Sequence, residues 1–358
     1  MKLLEKTTIG GIEFKNKIAM APMTRNRATD NGEATASMVK YYEQRASIGL
    51  IITEGVNISK LALGSPNTPG IYTPEQVESW KKVTQAVHAK GGKLFLQLWH
   101  TGRTSHSSLL NGVTPVAPSA IRIEGHKKAT STGMHEYEIP RALTTAEVKD
   151  VIKEYATAAK NAMEAGFDGV ELHGAFGYLP NQFLVDGANT RTDEYGGSIE
   201  NRSRFVLEVM QELVNVWGAD KVGIKLSPSI PFNGMIDSDP QALFTYLIQE
   251  LNKMPLAYLH LMNALFPLEQ LPHWPKDVLG TYASLFNKPI IANGGYNPES
   301  AELELASGKA QLISFGALAL SNPDLVNRIE TKSPLNNPDR TTFYSGGDKG
   351  YIDYPTLN

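Results

Sequence analysis

The sequence contains no cysteine among its 358 residues. Its absence excludes disulfide bonds, thiolate nucleophiles and metal or iron–sulfur sites with cysteine ligands. The chain also lacks an uninterrupted run of 18 apolar residues, so no transmembrane helix is expected. Positions 1–16 lack the apolar core of a secretory signal, which predicts a soluble cytoplasmic protein.

Blocks of like charge are absent as well. The 34 lysines and arginines nearly balance 37 aspartates and glutamates, for a formal net charge of -3. Nucleic acid and anionic membranes are therefore not expected as partners. The expected partner is a small-molecule substrate, bound by a monomer or a homodimer without a metal ion.

Eight short apolar runs recur along the chain. They are short, often rich in β-branched residues and often bounded by glycine or proline, which is typical of parallel strands covered on both faces. The eight runs are 17–21, 50–54, 94–98, 169–172, 222–226, 257–261, 289–292 and 311–315.

Longer amphipathic segments separate these runs. Helices are predicted at 74–89, 144–165 and 200–217, with two more opening at Asp239–Pro240 and Asn322–Pro323. Eight strand–helix units predict an α/β protein with a (β/α)8 TIM barrel in one domain over 1–358. A doubly wound open sheet is the alternative, but no glycine fingerprint for a dinucleotide follows the first run.

Two segments fall outside this alternation. Residues 7–14 predict a small hairpin around Gly10 and Gly11 that closes the bottom of the barrel. Residues 102–142 form the longest stretch without helical periodicity and follow the third strand. Because long loops in compact domains are usually functional, this one is expected to cap the catalytic face.

Barrel enzymes build their sites from the loops after the carboxyl ends of the strands. In this chain, polar, aromatic and glycine residues recur there, as a ligand held by backbone and short side chains requires. These positions are 22–25, Gly55, Gln97, Trp99, His100, 173–178, Lys225, Ser227, 293–296 and 315–317.

Three of these segments suggest functional chemistry. Gly294, Gly295 and Gly316 follow the last two strands, where barrels often bind phosphate through backbone amides. The alternative, glycines that serve only tight turns, is equally favoured. After the fourth strand, His173 can donate a hydrogen bond to a carbonyl and Tyr178 can donate a proton. A buried histidine and a packing tyrosine remain the alternative, although their crowding at one strand end favours a functional role.

Segments such as RTDEYGGSIENR (191–202), KLSP (225–228) and ANGGY (292–296) occur in this order along the chain. In these and other segments the chain resembles the old yellow enzyme family through nearly its whole length. RTDEYGGSIENR at 191–202 is the most specific of the shared segments. The resemblance implies a (β/α)8 barrel that holds FMN at the carboxyl ends of its strands. The matching segments are MAPMTRNRA (20–28), LIITEG (50–55), LQLWHTGR (96–103), VAPSAI (116–121), IPRALTTAEV (139–148), QFL (182–184), NTRTDEYGGSIENRSRF (189–205), KLSP (225–228), ANGGY (292–296), NPDL (322–325) and GYIDYP (350–355).

The resemblance also implies roles for individual residues. His173 would bind the carbonyl or nitro oxygen of the substrate near the flavin, and Tyr178 would protonate its Cα. Tyr72 and Trp99 would shape the substrate pocket. The implied flavin contacts are Thr24 at O4, Gln97 at the pyrimidine edge, Pro22, Met23 and Gly55 along the ring, Gly294, Gly295 and Gly316 at the phosphate, and Phe343 and Tyr344 over the dimethylbenzene ring.

Three positions depart from the family pattern. Phe176 stands where the family usually has histidine or asparagine, so one of two donors to the substrate oxygen is absent. Lys225 replaces an arginine beside the flavin N1–O2 edge, and Ala317 replaces an arginine at the phosphate. Because Thr24 and the other implied contacts remain, a subgroup with compensating residues is favoured over a barrel that retains FMN poorly.

The resemblance implies an FMN-dependent ene-reductase that uses NADPH or NADH to reduce the C=C bond of α,β-unsaturated carbonyl or nitro compounds. A nitro-compound or quinone reductase with the same flavin is the first alternative. A flavin-poor barrel with only a binding role is the second.

Overall fold

The computed structural model describes residues 1–357, and eight parallel strands close into a barrel at its centre. The last barrel strand pairs with the first, with Ile313 opposite Ile18. Each of the eight apolar runs becomes one barrel strand, so the predicted (β/α)8 barrel is confirmed. The barrel strands are β3 (Ile18–Met20), β4 (Leu50–Asn57), β5 (Leu94–Trp99), β10 (Gly169–Gly174), β11 (Val222–Leu226), β12 (Tyr258–Met262), β13 (Ile290–Asn293) and β14 (Leu312–Phe315).

In the part of the chain that the structure describes, six short strands form two hairpins and one parallel pair outside the barrel. The predicted N-terminal hairpin is confirmed, and its apolar side chains pack with Phe95, Tyr258 and Leu312 at the bottom of the barrel. The remaining strands lie in the segment after β5. The six are β1 (Thr7–Ile9), β2 (Ile12–Phe14), β6 (Val116–Ala117), β7 (Lys127–Thr130), β8 (Gly133–Glu136) and β9 (Arg141–Ala142).

Within residues 1–357, ten α-helices surround the barrel strands or follow them. Capping boxes begin two of the predicted helices, at Thr73 with Gln76 and at Thr144 with Glu147. None of the helices within residues 1–357 has the length and apolar character needed to cross a bilayer. The helices are α1 (Ala36–Gln44), α2 (Pro74–Ala89), α3 (Thr145–Glu164), α4 (Leu179–Leu184), α5 (Ile199–Trp217), α6 (Pro240–Asn252), α7 (Val278–Tyr282), α8 (Pro298–Ser307), α9 (Ala317–Ser321) and α10 (Leu325–Thr331).

The helix predicted to open at Asn322 begins elsewhere. Asn322 is the C-cap of α9, and its side-chain amide donates to the carbonyl of Leu318 at 2.9 Å. The last helix instead begins at Leu325, after Asp324. An asparagine next to a proline is typical of a helix start, but the same side chain also satisfies the free carbonyls at a helix end. The helix closest to the glycine after β14 is therefore α9.

The segment after β5 folds over the carboxyl ends of the barrel strands, which confirms the predicted cap. Its β7–β8 hairpin pairs Lys127 with Glu136 and Lys128 with His135 in antiparallel register. Strand β6 pairs with β9 at the base of the cap. Lys128 and Tyr137 of this segment line the same cavity as the residues that follow the barrel strands.

Buried arginines attach the C-terminal segment to the barrel. The Arg25 guanidinium donates to the carbonyls of Phe343 at 2.9 Å and Gly350 at 2.8 Å. Arg27 donates to the Gly347 carbonyl at 2.9 Å. Hydrogen bonds from a charged donor are roughly twice as strong as those between neutral groups, so these contacts hold the irregular segment in one position.

A buried carboxyl group lies beneath this attachment. Glu54 is almost fully buried and accepts from the Arg25 amide at 3.2 Å and from the Tyr42 hydroxyl at 3.3 Å. Burial raises the pKa of Glu54 from 4.5 to about 7, although both donors and the Arg25 charge oppose that shift. The folded state therefore holds a proton on Glu54 that the unfolded state releases at lower pH.

This difference predicts a pH dependence of stability. Between pH 4.5 and about 7 the folded protein keeps the Glu54 proton while the unfolded chain has lost it, so the free energy of unfolding falls as the pH rises. The loss is at most about 3 kcal/mol. In Glu54→Gln this contribution disappears, and the variant should gain stability relative to wild type between pH 5 and pH 8 in urea unfolding.

The exposed Glu136 provides the control, because Glu136→Gln should leave the pH profile of unfolding unchanged. Parallel profiles for wild type and Glu54→Gln would contradict the raised pKa.

Candidate active site

A cavity of about 480 Å³ opens at the carboxyl ends of the barrel strands. Its wall combines residues that are distant in sequence and contains no aspartate or glutamate. Nine of the predicted site residues line it: Pro22, Met23, Thr24, Trp99, His173, Phe176, Tyr178, Lys225 and Tyr344. The other lining residues, which were not predicted, are Asn26, Gly64, Ser65, Thr104, Lys128, Ala129, Tyr137, Phe232 and Asn233.

Three aromatic side chains form the centre of the wall. The Tyr178 ring lies edge-on to His173, with 4.7 Å between ring centroids, and edge-on to Trp99 at 5.1 Å. His173 is the penultimate residue of β10, and Tyr178 is the N-cap of α4. A tight turn between strand and helix thus places both side chains at one end of the barrel.

The protonation of this pair follows from its burial. Burial, with a smaller effect from the Lys225 charge, lowers the pKa of His173 well below its usual 6.5, so the imidazole is neutral. Burial also raises the pKa of the Tyr178 phenol, which keeps its proton. Among residues 1–357, no group forms a hydrogen bond with His173 Nδ1 or Trp99 Nε1, although both atoms are buried. Such atoms are expected to bond to a ligand or water.

A chain of polar side chains crosses the barrel below the cavity. Gln97 Nε2 donates to Glu171 Oε1 at 2.8 Å, and His260 Nδ1 lies 2.9 Å from Glu171 Oε2. His260 Nε2 lies 2.8 Å from the Ser314 hydroxyl. Because burial lowers the pKa of His260, its imidazole is neutral and donates from Nδ1 to the carboxylate while Nε2 accepts from Ser314.

His260 and Ser314 were not identified from the sequence. The available signal was alternation, since each occupies an inward position in a strand whose neighbouring side chains are apolar. A polar residue at an inward position of an otherwise apolar strand indicates a polar layer inside a barrel, where branched apolar side chains usually dominate.

Lys225 balances the charge in this layer. It stands in register between His173 and His260, and it is almost fully buried. Burial lowers the pKa of Lys225 to about 8, and the nearby Glu171 opposes that shift. The ammonium therefore stays largely protonated at neutral pH and offers a cation to the cavity, in agreement with the charge expected at this position.

Phe176 has a backbone conformation that its side chain disfavours. Its φ is 57°, in the left-handed region where the Cβ of most residues is crowded. Two hydrogen bonds hold this turn, from the Phe176 amide to Ser227 Oγ at 3.0 Å and from Asn233 Nδ2 to the Phe176 carbonyl at 3.0 Å. The ring centroid lies 6.0 Å from Lys225 Nζ, so the ring occupies space beside the cation.

The glycines after β13 and β14 present free backbone amides. Gly294 has φ 102° and Gly295 has φ 79°, conformations that side chains rarely adopt. Within residues 1–357, no protein group accepts from the amides of Gly294, Gly295 or Gly316. These amides can bind an anion, and the neighbouring half-buried Ala317 adds no charge.

Eight predicted residues lie away from the cavity wall, namely Gly294, Gly295, Gly316 and Ala317 at the ends of the last two strands, and four others. Gly55 and Gln97 lie opposite each other in the barrel, and a Cβ at Gly55 would come within 2.8 Å of the Trp99 ring. Phe343 is half-buried behind Tyr344, with 6.4 Å between ring centroids. Tyr72 lines a different cavity.

The position of Tyr72 corrects its predicted place in the substrate pocket. The Gln76 side chain accepts from the Tyr72 amide at 2.8 Å, which fixes the tyrosine at the start of α2. Ser65, which sits closer to β4 in the same loop, occupies the cavity wall instead. Nothing in the spacing of these two residues distinguishes them, because the path of the loop decides which one faces the cavity.

These features together fit FMN. An aromatic wall with unpartnered polar atoms suits a flat heteroaromatic ring, and the buried cation Lys225 suits its electron-rich edge. The glycine amides suit its phosphate.

The strain at Phe176 can be tested by substitution. Asparagine tolerates the left-handed conformation, whereas alanine does not. Phe176→Asn and Phe176→Ala both remove the ring, and we expect the asparagine variant to be more stable by about 1 kcal/mol in urea unfolding. Equal free energies of unfolding for the two variants would show that the backbone relaxes at this turn.

Comparison with known proteins agrees with this geometry. Residues 2–336 match the model of the NADH:flavin oxidoreductase / NADH oxidase family. The chain is 44% identical over 362 residues to a probable flavin mononucleotide-dependent alkene reductase of Leishmania infantum, covering 99% of this chain and 97% of the relative. It is also 44% identical over 359 residues to 12-oxophytodienoate reductase 1 of Oryza sativa subsp. japonica, covering 99% of this chain and 93% of that one.

Solved structures show the same similarity. Morphinone reductase in complex with tetrahydroNAD superposes with a TM-score of 0.94 at 42% identity, covering 100% of this chain and 98% of the other. The old yellow enzyme homologue from Zymomonas mobilis superposes with a TM-score of 0.94 at 39% identity over the whole of both chains. The chain belongs to the NADH:flavin oxidoreductase / NADH oxidase family, among the old yellow enzymes.

Proposed function

We propose that this protein is an FMN-dependent ene-reductase that reduces the C=C bond of α,β-unsaturated carbonyl or nitro compounds with NADH or NADPH. The observation that carries this proposal is the pairing of a neutral His173 with a protonated Tyr178 on one cavity wall. The names of the relatives, an alkene reductase and an oxophytodienoate reductase, support the same reaction class.

In this proposal, residues from seven barrel strands, or from the loops that follow them, and from the C-terminal segment would hold FMN. When bound, FMN supplies the two-electron chemistry by accepting a hydride from the nicotinamide and delivering it to the substrate Cβ. Thr24 would donate to the ring, Lys225 would neutralise its electron-rich edge, and Trp99 and Phe176 would border the substrate side. The remaining proposed contacts are Pro22, Met23, Gly55, Gln97 and His173 at the ring, Gly294, Gly295, Gly316 and Ala317 at the phosphate end, and Phe343 and Tyr344 at the outer edge.

His173 and Tyr178 act on the substrate. The neutral imidazole donates a hydrogen bond to the carbonyl or nitro oxygen, which draws electron density away from Cβ. The Tyr178 hydroxyl then gives its proton to Cα, completing the addition of hydrogen across the double bond. Burial prepares both groups for these roles, since each keeps the protonation state that donation requires.

We further propose that residues 1–358 act as one FMN-binding domain in the cytoplasm, which the absence of cysteine fits, as a monomer or homodimer without nucleic acid. Sedimentation of the purified protein measures the oligomeric state.

The absorbance spectrum of the purified protein, followed by turnover assays, tests the proposed reaction. We expect flavin bands, and oxidation of NADH or NADPH that depends on cyclohexenone or a nitroalkene. Faster turnover of a nitroaromatic compound than of cyclohexenone would favour the nitro-compound reductase instead. A protein that binds no added FMN would leave only a binding role for the barrel.

The role of Tyr178 predicts a separation of the two half-reactions. In Tyr178→Phe, reduction of the flavin by NADPH should keep its rate, because the phenol acts only on the alkene. Reoxidation by cyclohexenone should slow by roughly 10²–10⁴-fold, the usual contribution of general acid catalysis. Stopped-flow absorbance measures both rates, and an unchanged reoxidation rate would remove Tyr178 from proton transfer.

Because Ala317 carries no charge, we predict that the protein binds FMN more weakly than it would with an arginine at this position. Ala317→Arg should add a charged contact to the phosphate and tighten FMN binding by roughly 10-fold to 150-fold. Titration of the apoprotein, followed by flavin fluorescence, measures the dissociation constant. Ser307→Arg adds the same charge at an exposed position at the end of α8 and should have no such effect. Equal affinities for wild type and Ala317→Arg would show that the phosphate already has a cation.

A further inference from the structure

The β7–β8 hairpin over the cavity carries two consecutive lysines that face opposite sides. Lys127 is exposed and forms a salt bridge with Glu136 at 3.0 Å. Lys128 is half-buried and lines the cavity. Successive side chains of a strand point to opposite faces, so the hairpin directs one ammonium group to solvent and the other into the site.

The Lys128 ammonium has no partner of its own. In residues 1–357, neither a salt bridge nor a side-chain hydrogen bond joins it to another group. Burial lowers the pKa of Lys128 to about 8, and no neighbouring carboxylate opposes that shift. Because partial burial of an unpaired charge is unfavourable, this lysine gains stability from any anion that enters the cavity.

The described cavity wall contains no carboxylate that could compete with such an anion for Lys128. Among the described residues that line the cavity, none is acidic and the only other lysine is Lys225. The nearby Glu171 already compensates part of the charge of Lys225, and the proposed function assigns Lys225 to the flavin. Lys128 is therefore a cation in the wall for which neither the fold nor the proposed reaction supplies a counter-charge. A cavity lined by one sign of charge concentrates ligands of the opposite sign.

We propose that Lys128 is a specificity-determining residue that binds a carboxylate on the substrate, so that the preferred substrates are activated alkenes with a carboxylate-bearing substituent. This inference rests on the proposed ene-reductase function. His173 and Tyr178 act from the end of β10, whereas Lys128 acts from the cap. The carboxylate consequently belongs to a part of the substrate separate from the carbonyl or nitro group that His173 binds.

A matched pair of substrates isolates the charge. A cyclohexenone with a carboxymethyl substituent and its methyl ester differ little in shape, but only the acid is anionic. We expect wild type to prefer the acid in kcat/KM. Lys128→Met should lower kcat/KM for the acid by roughly 10-fold to 150-fold, mainly through KM, and leave the ester within about 2-fold.

Two further variants complete the comparison. Lys127→Met removes the neighbouring charge from the outer face of the same hairpin and should leave the acid-to-ester preference unchanged. Lys128→Arg keeps the cation and should retain most of the preference. Unchanged ester turnover in Lys128→Met also shows that the hairpin and the flavin site remain intact.

The possible outcomes separate this inference from the proposed function. Equal losses for acid and ester in Lys128→Met, or no preference for the acid in wild type, would overturn the carboxylate role. Slower flavin reduction by NADPH in Lys128→Met, with unchanged reoxidation by the acid, would assign Lys128 to the phosphates of the nucleotide instead and also overturn it. If wild type with bound FMN reduces neither cyclohexenone nor either probe, the ene-reductase function itself fails.

Discussion

The pairing of β14 with β3 is the interaction on which the site depends. It closes the sheet into a ring, so that the carboxyl ends of all eight strands face one space. Thr24, Trp99, His173 and Lys225 lie on four different strands or the loops that follow them, yet they share one wall. An open sheet would spread the same residues along an edge, whereas the closed barrel makes each loop a neighbour of the cavity.

The interior of the barrel has two layers. The lower one stabilises the fold, and the upper one supports the cavity. The lower layer is apolar and is sealed by the N-terminal hairpin. The upper layer contains Glu171, Lys225 and His260, which are all buried. Buried charges are tolerated only when paired and hydrogen-bonded, and here the carboxylate accepts from a neutral imidazole and an amide while an ammonium lies nearby. This arrangement fixes the side chains that support the cavity floor.

The departures from the family pattern change the charge and shape of the cavity without removing its main groups. Phe176 fills space beside Lys225 in a turn that asparagine would fit with less strain. Lys225 keeps a positive charge because Glu171 compensates part of its burial. Lys128 brings a second cation from the cap, so the cavity as a whole is more suited to anionic ligands than its barrel residues alone indicate.

The sequence by itself determined the secondary structure and the order of the barrel. Apolar alternation, capping residues and glycine spacing are local properties, so all eight barrel strands and capped helices such as α2 and α3 were predicted within a few residues of their bounds. The strand ends also predicted His173, Tyr178 and Lys225 as cavity residues. Tertiary structure alone decided which loop residues reach the cavity. Ser65 rather than Tyr72 faces it, and Lys128 enters it from a hairpin that begins 28 residues after the end of β5. The sequence could not show this, because the paths of long loops depend on contacts between residues far apart in the chain.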